Sequence, residues 1–147
     1  MGVRSRGRKA LLQARFAAEM NGRSVFANLE SVRGLIGDPE LGLGAPLDTE
    51  DWEWISSVAE AVEENMEDIR RRIELSLENW SLERLSMVAR LILEQGLGEM
   101  LYLEPPTPAP VVMDESIKLA RMFETDEVAG LVNGVLDRIY RENEERS

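Results

Sequence analysis

The chain has 147 residues, 44% hydrophobic and 31% charged, the profile of one globular domain able to bury a single core. It holds neither cysteine nor histidine, which excludes disulfides, thiolate chemistry, His-based triads and most zinc sites. Its formal net charge of −11 repels phosphate and weighs at first against a nucleic-acid partner.

Charge is unevenly distributed, however, and the start of the chain is basic. Residues 1–18 hold Arg4, Arg6, Arg8, Lys9 and Arg15 and no acid, while the other 129 residues carry 12 bases against 28 acids. Residues 1–9 therefore read as a basic arm. Ala and polar residues follow that opening, so no signal peptide is expected. No stretch approaches 18 apolar residues, so no span is expected and the default compartment is the cytoplasm.

A first helix is predicted over 6–20, ending at Asn21-Gly22. On it Arg4, Arg8 and Arg15 fall near one face, and Leu12, Phe16 and Met20 form another. That spacing predicts one side docked on the body and the arginine side offered to phosphate, where a guanidinium binds oxygens bidentately. A frayed, solvated N-terminus is the competing reading. Ser24 can cap a second helix toward Val32. Residues 34–47, with Gly34, Gly37, Pro39, Gly42, Gly44 and Pro46, read as a surface loop.

Asp48 or Thr49 then caps a long helix, its apolar stripe running through Ile55, Val58, Val62, Met66, Ile69, Ile73 and Leu77. Asn79 or Ser81 can cap the next, lined by Leu82, Leu85, Val88 and Ile92 and reaching about Leu101. The segment from Pro105 to Pro110 reads as a stiff connector. Two helices follow over 111–123 and 126–141. Gly134 inside the last suggests a close helix–helix contact, and 142–147 reads as a frayed tail. The expectation is one all-α domain of six or seven helices.

Catalytic candidates are weak. The pairs Glu63/Glu64, Asp114/Glu115 and Asp126/Glu127 and the run Glu142/Glu144/Glu145 lie where solvated charge is ordinary, whereas acid–base work needs two environments that separate the pKa values. No EF-hand spacing and no GxxxxGK[ST] loop occurs, so no metal, cofactor or enzymatic activity is expected. Phe16 and Trp80 each suit either base stacking or the core.

The last third of the chain carries a resemblance. Met113-Asp114-Glu115-Ser116-Ile117-Lys118-Leu119-Ala120-Arg121-Met122-Phe123, followed by Leu131-Val132-Asn133-Gly134-Val135-Leu136-Asp137-Arg138-Ile139, resembles the NusB family signature. Asn79-Trp80-Ser81-Leu82-Glu83-Arg84-Leu85, the run Arg90-Leu91-Ile92-Leu93 with Glu99, Pro108, and Arg8 to Ala14 with Phe16 are similar to further family segments in the same order. The resemblance implies two small helical bundles packed together. It also implies binding to boxA-type single-stranded RNA jointly with the ribosomal protein NusE, and recruitment of RNA polymerase into an antitermination complex, notably on rRNA operons. By position it places Arg4, Arg6, Arg8, Lys9, Gln13, Phe16 and Glu127 on the RNA side. It places the NusE surface around Leu77, Trp80 and Leu131, and an apolar patch of that kind also suits homodimer formation when NusE is absent. Asp114, Glu94, Gly98 and Leu131 depart from the family pattern; for Glu94, a reversal of charge, Arg90 is a candidate internal partner. The alternative is a diverged protein-interaction module that has lost specific RNA binding. A related domain is fused to RNA-cytosine methyltransferases, but no cofactor-binding domain is expected here.

Overall fold

The computed structural model describes residues 2–38, 40–41, 44–77 and 84–146. Among them are seven α-helices: α1 (Val3–Asn21), α2 (Val25–Leu35), α3 (Thr49–Glu64), α4 (Met66–Ser76), α5 (Met87–Leu97), α6 (Ala109–Phe123) and α7 (Asp126–Glu145). The chain divides into two compact units, Met1–Ala59 and Glu60–Ser147, with the boundary inside α3.

In the first unit α1 packs on α2. Gly22 stops α1 in the left-handed region at φ 70°, and its N–H donates to the Ala18 carbonyl, a conformation that favours glycine. Behind that turn Asn21 and Asn28 exchange side-chain amide hydrogen bonds of 2.8 and 3.3 Å. Ser24 Oγ caps α2 by accepting from the Ala27 N–H. Asp48 and Asp51 cap α3 reciprocally, each carboxylate accepting the other's backbone N–H at 2.9 and 3.0 Å, the logic of a capping box. Leu11, Ala14, Leu29, Trp52, Ile55 and Val58 fill the core of this unit.

The second unit is built around α5, buried continuously from Leu91 to Leu97, against α4, α6 and α7. Ser86 Oγ caps α5 by accepting from Ala89 N–H. Beyond Leu97 the helix widens into a π-helical turn over Gly98–Tyr102, closed by the Leu103 N–H on the Gly98 carbonyl. Gly98 is required there, because a Cβ would stand 2.3 Å from Val62 Cγ2.

The structure corrects several expectations. The stripe from Ile55 to Leu77 is carried by two helices, not one. At Asn65 the side-chain amide donates to the Ala61 carbonyl at 2.8 Å while its backbone N–H turns to Val62. The side chain thus takes the acceptor that the helical ladder would use. The helix expected from about residue 82 starts at Met87; Asn79, Trp80, Ser81 and Leu82 lie outside the described residues. Ala109 and Pro110 belong to the first turn of α6, where proline's missing N–H has no partner to lose. The basic arm is the opening of α1, and α7 runs to Glu145, beyond the expected start of the tail. A Cβ on Gly134 would meet nothing within 4 Å, whereas one on Gly96 would stand 3.0 Å from Ser116 Oγ. The close approach belongs to Gly96.

Candidate nucleic-acid interface

Helix α1 sorts its side chains onto two faces, but not the two expected. Arg8 and Arg15 are 6% and 2% exposed, and Leu12 is buried with them. Phe16 and Met20, grouped with Leu12 by spacing, stand out at 41% and 67%. The outward strip is Arg6, Lys9, Gln13, Phe16 and Met20, the first two half-buried and the other three exposed, at successive steps of three and four. It contains no acid. Glu19, the single acid of α1, borders its far end one turn after Phe16.

Arg8, one of the two inward arginines, lies against an indole that helical spacing does not single out. Trp54 of α3 lies over α1 with the Arg4 guanidinium 4.1 Å and the Arg8 guanidinium 5.0 Å from its ring centroid. Gly7, between them, leaves room for the ring and for Ile55: a Cβ would be 3.5 Å from Trp54 and 3.0 Å from Ile55 Cγ1. Glycine flanked by arginines at helical spacing was the available signal. A cation on an indole face is attracted by the ring quadrupole. Arginine also buries its aliphatic stem readily, which is why Arg8 packs inward although spacing alone assigned it to solvent.

Arg4 is exposed at the end of α1, Lys9 is half-buried and Gln13 exposed. Arg6 Nη2 donates to the Ala45 carbonyl, next to Gly44 at φ 96°, and the guanidinium fits because Gly44 has no side chain: a Cβ would be 2.8 Å from Arg6 Nη2. Arg6 therefore anchors the end of the loop as well as beginning the strip. Glu127 is exposed in the first turn of α7 and Leu131 half-buried one turn later, both in the second unit. Leu77 is buried, at 7% exposure, so it supports a surface instead of forming one. Trp80 lies outside the described residues.

Glu94 is fully buried in the second unit, with Oε2 accepting from Arg70 Nε at 2.8 Å and Arg90 Nη1 at 3.1 Å. The internal pairing with Arg90 is present, and Arg70 completes it. Its charge reversal is thus absorbed inside the unit. Among the described residues no three acidic side chains come together as a metal site, and no helix is long and apolar enough to cross a membrane.

These features define an all-helical module of two compact units, one presenting a cationic and aromatic helix face. The NusB family profile matches residues 5–141, and the chain belongs to the NusB family. The transcription antitermination protein NusB of Sorangium cellulosum (strain So ce56) is 36% identical over 140 residues, covering 95% of this chain and 92% of that protein. The structure of T. maritima NusB superposes with a TM-score of 0.79 at 32% identity, covering 95% of this chain and 91% of its own. The fold is also that of a crystal structure of the antitermination factors NusB and NusE in complex with dsRNA, at TM-score 0.81, 20% identity, and coverage of 97% and 98%.

Proposed function

We propose that this protein is a cytoplasmic transcription antitermination factor. It binds boxA-type single-stranded RNA together with NusE and joins an RNA polymerase antitermination complex, notably on rRNA operons. It acts by adhesion, with no covalent step. The observation that carries the reading is the strip Arg6, Lys9, Gln13 and Phe16, which sets a cation pair, an amide and an aromatic ring on one outward helix face of a chain whose net charge is −11. Cations track phosphate and an exposed ring stacks an unpaired base. The antitermination role of the Sorangium relative supports the same reading.

Arg4 extends the cationic end of the strip, whereas buried Arg8 serves Trp54. Glu127 is assigned to the RNA side and Leu131 to the NusE side. The departure at Glu94 lends nothing to a module that has lost RNA binding, because the carboxylate is internal.

The test is binding of a boxA-type RNA, with and without NusE, across a salt series. Affinity should fall with salt, and replacing Arg4, Arg6 and Lys9 by alanine should flatten the log–log slope by about 2, from roughly 0.7 per single-strand phosphate contact. No salt-dependent affinity in either condition, or an unchanged slope in the triple variant, sinks the reading.

A further inference from the structure

We propose that Met20 is a base-contacting residue, extending the RNA strip of α1 one step beyond Phe16. The inference rests on the RNA-binding reading above and names a contact that reading does not need. Met20 is 67% exposed at the last turn of α1, four residues after Phe16 and therefore about 6 Å further along the axis on the same face. A duplex stacks its bases about 3.4 Å apart. Side chains one helical turn apart match an extended strand whose bases have come off one another.

Charge assigns the two ends of the strip different roles. Arg6 and Lys9 hold the first end, where phosphate is attracted. At the other end no basic residue lies between the exposed Phe16 and Met20, so nothing there draws phosphate in and base faces are left toward the helix. Phe16 and Met20 are the apolar surfaces available at that end, and a polarizable thioether packs well on an aromatic plane. The platform is rigid: Gly22 caps α1 immediately after it, and the Asn21–Asn28 amide pair ties the last turn to α2. A fixed apolar side chain loses little freedom when a base lands on it.

The experiment uses the full chain with NusE and a short fluorescein-labelled boxA-type RNA, with single abasic nucleotides walked along it. Met20→Ala is a surface change and should fold as the parent does. It should weaken binding about fivefold, at the low end of what one stacked base contributes, without altering the salt slope, whereas Lys9→Ala should flatten that slope by about 0.7. At one abasic position the Met20→Ala loss should vanish, because the base it touches is already gone. Parent-like affinity in Met20→Ala, or the same loss at every abasic position, overturns the proposal. A change confined to self-association or to NusE affinity overturns it too, and places a protein on this end of α1. If the parent protein itself shows no salt-dependent RNA affinity, the antitermination reading falls and takes this one with it.

Discussion

The contacts that hold Arg4, Arg6 and Arg33 in the first unit differ in kind from those that hold arginines in the second. In the first, Arg4 and Arg8 lie on Trp54, Arg33 lies 5.6 Å over Trp52, and Arg6 donates to a backbone carbonyl. In the second, Arg70 and Arg90 meet Glu94, Arg71 and Arg72 meet Asp68, and Arg138 and Arg141 meet carboxylates one turn away. An indole or a carbonyl orients a guanidinium and leaves its charge in place, while a carboxylate cancels it. Residues 1–59 carry 7 bases and 8 acids, against 10 and 20 in residues 60–147. The indole and carbonyl contacts at Arg4, Arg33 and Arg6 leave those charges in place on an acidic chain. That difference links ordinary packing to the RNA face of α1.

The largest effect should come from the carboxylate-held side. Glu94→Ala leaves Arg70 and Arg90 facing a buried void where their shared counter-charge stood. Arg70 stays 43% and Arg90 18% exposed, so the cost is that of charged hydrogen bonds left unmade, about 1 to 3 kcal/mol, which urea denaturation would register as a lower midpoint. A loss below about 1 kcal/mol, the range of a solvent-exposed pair, would show that water reaches Arg70 well enough to replace the carboxylate, and the contrast between the units would weaken. The indole-held side should respond less. Trp54→Leu keeps apolar bulk over Gly7 and Ile55 but removes the face under two cations. Arg4 is exposed, so its coupling to Trp54 in a double-mutant cycle should be about 0.5 to 1 kcal/mol. Zero coupling would mean that the stack merely accompanies packing of Trp54 against α1 at Gly7.

Local chemistry was the legible part of this fold. Gly22 and Ser24 end α1 and open α2 as the residues dictate, since both signals act within four residues. The break at Asn65 was not legible, because the apolar period runs on through Val62, Met66 and Ile69 while one amide side chain redirects the backbone. The candidate site was half legible. Lys9, Gln13 and Phe16 share an outward face, but Arg8 turns inward to Trp54, a partner on another helix that helical spacing cannot report, and Arg15 is buried as well. Gly134 is ambiguous for a related reason: a helical glycine marks either a close neighbour or none, and only tertiary structure separates the two.

The smallest effect sharpens the comparison at a site where an arginine meets both kinds of partner. Arg72 pairs with Asp68 at 3.1 Å and stands 5.9 Å from the Tyr102 ring centroid, and the Tyr102 hydroxyl itself donates to Asp68. That hydroxyl, ahead of Arg72 and Arg71, holds the Asp68 carboxyl below its ordinary value against the opposing pull of desolvation. A depressed folded-state pKa contributes stability that is present above the unfolded value, about 3.9, and is lost as pH falls through the folded one. Tyr102→Phe keeps the ring near Arg72 and removes the hydrogen bond, so the folded pKa should rise toward the unfolded value. The variant should be less stable than the parent at pH 7 by under about 1 kcal/mol, since solvent screens a partly exposed pair. The gap should close below about pH 4, where Asp68 is increasingly protonated in both. Thermal denaturation across that range decides it: an equal deficit at every pH would assign the role of Tyr102 to packing and leave Asp68 to its arginines.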